Sequence, residues 1–298
     1  MNYHNPVLLK ESIEGLNIKP DGIYLDLTFG GGGHSKEILK HLTTGKLIAF
    51  DQDNDAKKNI INSKNFIFVQ ANFKYLSNFV KYHGFDKVDG ILADLGISSH
   101  HIDMPERGFS FRFDAPLDMR MNQNAEKTAA DVINNYDEND LFYIFRNYGE
   151  IKQLGRLVNA ISEARKTKNI NTTFELIEII KDIPQKNKEN RFFAQVFQAV
   201  RIEVNDEIKT LEQTLNQADK ILKQGGRLSI ISYHSLEDKL VKKFIKSGNT
   251  EGKIIKDEYG NIEKKYKAIN KKVIVPGENE IKENNRARSA KLRIAEKL

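Results

Sequence analysis

At 298 residues the chain has the length of about two domains and enough for a sizeable core. It contains no cysteine, which excludes disulfides, thiolate zinc sites and any cysteine nucleophile, including covalent thiol attack on a pyrimidine ring. The net charge of +6 is uneven: from Lys239 to Leu298, 17 Lys and Arg stand against 8 Asp and Glu, while the residues before hold 30 against 33. A basic carboxyl-terminal fifth suits a nucleic-acid partner, although the lysine-rich composition of the whole chain explains it equally well. No stretch approaches the ~18 apolar residues of a membrane span, and neither a signal peptide nor a lipidation motif is evident. A soluble cytoplasmic protein is expected.

In chain order, the first element is an apolar run, Ile23-Tyr24-Leu25 with Leu27, that suits a strand buried on both faces. It runs through Thr28 and Phe29 into four glycines, Gly30 to Gly33, and then His34 and Ser35. Ile38, Leu39 and Leu42 mark a helix after the turn. A second strand over 46–50 ends on Asp51, a third over 66–69 leads to Asn72-Phe73, and a fourth over 88–93 delivers Asp94 at its carboxyl end. Consecutive glycines are costly in chain entropy and make sense where backbone must approach a ligand. An acid after the second strand is placed to accept hydrogen bonds from ribose hydroxyls, so these pieces form half of a nucleotide-cofactor site. The plainer alternative, a tight turn and a helix cap, fits the ordered series less well.

Beyond Asp94 the pattern turns helical. Thr128 and Asp137 read as helix caps, and Leu141, Ile144, Phe145 and Tyr148 follow the i, i+3, i+4, i+7 spacing, which Leu154, Leu157, Val158 and Ile161 repeat. Thr172 and Glu175 have capping-box spacing. Strand character returns over 226–232 after a helix over about 207–222, and a further helix is expected over 236–246. Two final strands are predicted over 272–276 and 290–295, with 247–270 as a mobile loop or tail.

Ser35 stands where a dinucleotide fingerprint wants its third glycine. S-adenosylmethionine has a ribose and an adenine but no pyrophosphate, and the Gly30–Gly33 turn, Asp51 and Asn72-Phe73 supply its needs in order. An NAD-dependent oxidoreductase and a non-catalytic RNA-binding module are the alternatives from other classes.

Several segments are more specific than a fold requires: His4-Asn5-Pro6-Val7-Leu8-Leu9, the Asp26 to Ser35 turn, Asp94-Leu95-Gly96-Ile97-Ser98-Ser99, Arg107-Gly108-Phe109-Ser110-Phe111 and Pro116-Leu117-Asp118-Met119-Arg120-Met121. Phe197-Gln198-Ala199-Val200-Arg201-Ile202 with Val204-Asn205-Asp206-Glu207, Ser232-Tyr233-His234-Ser235-Leu236-Glu237-Asp238 and Arg286-Ala287-Arg288-Ser289-Ala290-Lys291-Leu292-Arg293 complete the series. In this order and spacing the chain, from about His4 to Glu296, resembles the bacterial 16S rRNA (cytosine-N4)-methyltransferase family of the RsmH or MraW type.

The resemblance implies an α/β class I S-adenosylmethionine-dependent methyltransferase, a Rossmann-like doubly wound sheet with an inserted all-helical subdomain. The expected core is 1–110 with 203–298, and the insert 111–202. It implies methylation of the exocyclic N4 of a cytidine in the decoding region of 16S rRNA, with S-adenosyl-L-methionine as cofactor. The rRNA or the small ribosomal subunit would be the partner, and a homodimer stays open. Family cofactor contacts fall on Gly32, Gly33, His34, Asp51, Phe73 and Asp94, and on His101, where the family usually has glutamine. No Asp/Asn-Pro-Pro-aromatic tetrapeptide follows the fourth strand, so the proton acceptor is expected elsewhere, with Asp118 as candidate. Arg107, Phe109, Arg286, Arg288 and Arg293 are RNA-contact candidates, as a base-stacking platform and a phosphate-binding cluster. Packing and solvation are the plain readings of the same residues. His34 could equally be a helix-start residue bonded to backbone. His234 and Asp238, four apart, could invite a metal, but lacking further ligands a supporting hydrogen bond is favoured and no metal is expected.

Overall fold

The structure, a computed structural model, describes residues 6–256, 258–260 and 262–298, apart from the side chains of Ser99 and His100. His4 and Asn5 of the first motif lie outside the described residues. The chain divides into two compact units, 1–96 with 208–298, and 97–207.

The first unit is built on a seven-stranded sheet: β1 (Ile23–Asp26), β2 (Lys46–Asp51), β3 (Phe66–Gln70), β4 (Val88–Asp94), β5 (Leu222–Ser232), β6 (Tyr266–Ala268) and β7 (Lys291–Lys297). The order is β3-β2-β1-β4-β5-β7-β6, with β1 to β5 parallel and β7 antiparallel to both of its neighbours. This is the class I methyltransferase arrangement. Strand alternation puts Tyr24, Leu47 and Leu92 into one apolar cluster, with Ile13 and Leu16 of the Leu9–Leu16 helix and Ile38 of the Gly33–Lys40 helix. Their neighbours Leu25, Ile48 and Ile91 enter the other cluster, against Leu76, Val80, Leu211, Leu215, Val241 and Phe244. Helices on both faces explain why these strands read as unbroken apolar runs. The chain reverses its winding between β1 and β4, and open α/β sheets bind ligands outside the carboxyl ends of strands at such a point.

The carboxyl-terminal stretch departs from expectation. The run 272–276 is not a strand: Ile274 makes only an isolated bridge to Leu292. The edge strand comes instead from Tyr266–Ala268, inside the segment expected to be a loop. Local β-branched character favoured 272–276, but Tyr266 is buried against Phe244, with ring centroids 5.0 Å apart, and that packing wins.

The second unit is helical: Ala129–Asn135, Glu138–Asn147, Leu154–Arg165, Thr173–Ile180 and Glu189–Val204 share one apolar core. Thr128 with Asp131, and Thr172 with Glu175, form reciprocal capping boxes, and Asp137 caps the second of these helices. The compact unit begins at residue 97, ahead of the expected 111, and Ile97 and Phe109 pack with its core. Among the described residues no helix is long and apolar enough to cross a membrane.

Candidate functional site

The crevice is built at the carboxyl ends of β1, β2, β3 and β4. At its centre the Asp51 carboxylate accepts hydrogen bonds from the backbone N–H of Gly30 (2.8 Å to Oδ2) and of Asp53 (2.8 Å to Oδ1). Two main-chain donors hold the group still at a strand end, an acceptor of the kind that suits a ribose hydroxyl. Asn59 Nδ2 donates to the Gly30 carbonyl at 2.9 Å, and Asn72 Nδ2 to Gln52 Oε1 at 2.8 Å, tying the loops after β1, β2 and β3 together. Phe73, half-buried beside Asn72, opens the short turn that follows β3, a position suited to an adenine face.

Three of the four glycines have separate reasons. Gly30 and Gly32 take the left-handed conformation, φ 49° and 75°. A Cβ on Gly33 would lie 2.1 Å from Cγ of Pro6, so the close approach there is made by the protein's own amino-terminal segment. A Cβ on Gly30 would meet nothing nearer than 4.0 Å, so the open backbone lies at Gly30. The resemblance expects the contact at Gly32 and Gly33, whereas the open backbone is that of Gly30, whose N–H orients Asp51.

Acids stand at the ends of β1 and β4, Asp26 buried and Asp94 half-buried. Asp26 accepts from Ser35 Oγ (2.6 Å) and the Thr28 N–H (3.1 Å), and burial pushes its carboxyl up to about 6 despite those bonds. Asp94 accepts from the Tyr233 hydroxyl at 2.8 Å, and its own N–H donates to Thr28 Oγ1 at 2.7 Å. Burial raises it too to about 6, with His34 and Tyr233 offsetting part of the shift. A carboxyl in this state is poised to ionise when a cation is bound beside it. His34 is buried, which lowers its pKa against the pull of Asp94, and its Nε2 lies 3.1 Å from the Val7 carbonyl. It therefore anchors the amino-terminal segment, the plainer of the two expectations for it. Tyr233 and Asp26 stand inside motifs whose spacing alone assigns them no role. The signal for both was their place, at or just past the carboxyl end of a core strand.

These donors and acceptors fit S-adenosylmethionine. Asp51 suits a ribose diol, Phe73 an adenine, the bare backbone at Gly30 a close approach, and the half-buried Asp94 a cationic amino-acid end. A dinucleotide would want free main-chain donors for its pyrophosphate, whereas the Gly30 N–H is already committed to Asp51.

The helical unit uses its motifs differently. Arg107 is buried, 3% exposed, and its Nη2 donates to the carbonyls of Arg120 (2.9 Å) and Met121 (3.3 Å). Phe109 is buried as well, with its ring stacked 4.8 Å from that of His101. Neither presents a base-stacking surface: the expected platform is corrected to a packed loop, because the guanidinium is needed to satisfy inward-facing carbonyls. Along the same run Arg112 and Phe113 are the exposed cation and ring. Gly108, between Arg107 and Phe109 in the chain, has φ 69°, and a Cβ there would fall 2.2 Å from the Pro116 carbonyl oxygen.

Asp118 is held by Arg120: Nε donates to Oδ1 at 2.9 Å, Nη2 to Oδ2 at 2.6 Å, and the Arg120 N–H to Oδ1 at 2.9 Å. Partial burial pushes the carboxyl up, but the Arg120 bonds outweigh it and hold it below the ordinary range. It is an ionised acceptor in a fixed orientation. The next residue, Met119, has φ 56°, a strained conformation for a side-chain-bearing residue, and is clamped from both sides. Its N–H donates to the Arg107 carbonyl at 3.0 Å, and its carbonyl accepts from Asn205 Nδ2 at 2.8 Å. Asn205 Oδ1 accepts the Met121 N–H at 2.8 Å, and Arg201 forks onto Glu207 at 2.8 and 2.9 Å.

In the basic carboxyl-terminal motif, Arg288 is exposed and Arg286 half-exposed. Arg293 is corrected from a phosphate ligand to a structural one: it forks onto Asp238 at 2.7 and 3.1 Å, from a strand inside the sheet. The same pair accounts for Asp238, and His234 Nε2 lies 3.2 Å from Glu237.

Comparison with known proteins agrees with this architecture. A relative in Cytophaga hutchinsonii, named Ribosomal RNA small subunit methyltransferase H, is 57% identical over 297 residues, covering 99% of both chains. One of the same name in Bacteroides thetaiotaomicron is 55% identical over 298 residues, covering 100% of this chain and 98% of its own. Among solved structures, an rRNA methylase from Streptococcus thermophilus matches with a TM-score of 0.43 at 12% identity, over 97% of this chain and 93% of the other, a likeness too slight to bear on the site. The profile of the MraW methylase family matches residues 1–298, and the chain belongs to that family.

Proposed function

We propose that this protein methylates the exocyclic N4 of a cytidine in the decoding region of 16S rRNA, using S-adenosyl-L-methionine. The observation that carries the reading is the Asp51 carboxylate fixed by the Gly30 and Asp53 N–H groups, at the reversal point of the sheet, in a chain of the MraW methylase family. When bound, the cofactor supplies an electrophilic methyl group on a sulfonium. The chain's own residues do the rest. Asp51 takes the sugar, Phe73 the base, and Asp94, kept in place by Tyr233 and Thr28, takes positive charge. Gly32, Gly33 and His34 shape the turn through their packing on Phe29, Pro6 and Val7.

The cytosine amino group is a weak nucleophile because its lone pair is delocalised into the ring, so alignment matters, and positioning is worth ~7–11 kcal/mol at best. Asp118 is proposed as the acceptor of the amine proton at its carboxylate oxygens, for Arg120 keeps it ionised and rigid. His101 is proposed to stand in for the family glutamine, and Arg286 and Arg288 to contact phosphates. A single-stranded or unstacked rRNA loop suits the reaction, since the target edge must leave the stack. The cytoplasm, and the small subunit as partner, follow from an rRNA substrate.

The test is transfer of labelled methyl from S-adenosylmethionine to naked 16S rRNA and to small subunits, followed by mass mapping of the modified nucleotide. Label at a cytidine N4 in the decoding region supports the reading. Label elsewhere, or reduction of a nicotinamide cofactor instead, overturns it.

A further inference from the structure

The first unit carries, away from the crevice, a concavity with a basic rim. A pocket of about 590 Å³ opens where the Ser235–Ser247 helix meets β6 and β7, and its rim carries Lys242, Lys246, Lys264, Lys267, Lys271 and Arg293. Among the described residues no acidic side chain lines it. We propose that this pocket docks the phosphate backbone of the RNA substrate outside the catalytic crevice, a proposal that rests on the rRNA reading above.

The charge pattern carries it. Among the described residues the five lysines make no ion pair with a carboxylate, and all five are exposed. Their neighbours are treated otherwise. Lys265 and Lys297 turn to Asp219, at 3.0 and 3.9 Å, and Arg293 is neutralised by Asp238. Glu296, opposite Lys267 in the β6–β7 register, is held by Arg227 at 2.7 Å. Asp219, Asp238 and Glu296 are thus each held by a cation other than these five lysines, and the surplus is left around one concavity. Lys242 and Lys246 sit four apart on one helix face, a like-charge pair that weakens a helix when nothing compensates it. Uncompensated cations gathered around a depression raise a positive potential that attracts a polyanion.

The floor favours a nucleic acid. Ile245, Tyr266 and Ile294 give the pocket an apolar base beneath point charges on long stems, a surface that can accept sugar and base edges while ammonium groups reach phosphates. Lysine contacts of this kind carry no sequence information. They would hold the substrate in register and leave base choice to the crevice.

The variant K242Q/K246Q/K267Q tests this in the full chain, since all three side chains are exposed and unpaired and the melting temperature should not move. Binding of a 16S decoding-region RNA is measured across a salt series, with KM and kcat for methyl transfer and S-adenosylmethionine affinity as parallel readouts. Losing three phosphate contacts should flatten the slope of log Kd against log salt by about 2 and raise KM for RNA while kcat and cofactor affinity hold. An unchanged slope and KM overturn the proposal. So does an unchanged slope with weaker binding only to assembled subunits, which would give the pocket to a ribosomal protein. A flattened slope in a protein that transfers no methyl group to RNA would keep the docking surface and sink the activity.

Discussion

The two units spend their polar residues in opposite ways. In the sheet unit, carboxylates are set at the strand ends, where open α/β sheets bind ligands: Asp51 is oriented by two N–H groups, and Asp94, half-buried with a raised pKa, by the Tyr233 hydroxyl. In the helical unit, equally specific motifs close on themselves. Arg107 satisfies carbonyls, Asn205 bridges Met119 and Met121, Arg201 forks onto Glu207, and the Tyr136 hydroxyl donates to Glu203 at 2.6 Å. A motif therefore has two physical meanings. It can hold a ligand, or it can hold a loop in a shape the backbone would not adopt alone. Met119, left-handed between two hydrogen-bonded clamps, shows the second kind.

The contrast can be broken or sharpened by experiment. The largest effect is expected at Asp51→Ala, where loss of charge-assisted hydrogen bonds worth about 1.5–3 kcal/mol each should weaken S-adenosylmethionine binding by roughly two orders of magnitude with little change in melting temperature. Calorimetric titration reads this directly, and an unchanged affinity would remove the cofactor site from the end of β2.

Next comes pH. Asp26 and Asp94 have folded-state pKa values raised to about 6, so between about 4 and 6 the native state binds more protons than the unfolded chain. Stability should therefore fall as pH rises through that window, by about 3 kcal/mol for each group, and level off above it. Denaturant unfolding of wild type and Asp94→Asn across this range checks the sign, and the variant should show the shallower decline. Bound cation favours the ionised form, so cofactor affinity should weaken as pH falls below about 6, with protons released on binding.

Asn205→Ala should do the reverse of Asp51→Ala. Removing the clamp on Met119 and Met121 should cost the fold about 2 kcal/mol, while cofactor affinity stays within threefold of wild type. Equal loss of both would erase the distinction between the units. The smallest effect is expected from His101→Gln, which restores the usual family residue but gives up the stack on Phe109, a contact of about 0.5–1.5 kcal/mol. A modest drop in melting temperature together with retained methyl transfer is the expected result.

Much of this was legible in the sequence for local reasons. The strands β1 to β4 announced themselves because both of their faces are covered, and the caps Thr128, Asp137 and Thr172 because capping is settled within three residues. Asp51 and Asp94 could be placed because a strand's carboxyl end is a position in the chain. The family, too, could be named from motifs in order.

Tertiary structure decided what depends on partners distant along the chain. Whether Gly33 faces a ligand or Pro6, whether Arg293 meets a phosphate or Asp238, and whether Phe109 stacks on a base or on His101 all turn on residues that periodicity does not pair. The edge strand moved from 272–276 to Tyr266–Ala268 for the same reason, because burial against Phe244 outweighs local β propensity. Sequence fixes which chemical groups are present and which backbone end carries them. Only the packed chain settles which of those groups are already satisfied and which are left to meet something else.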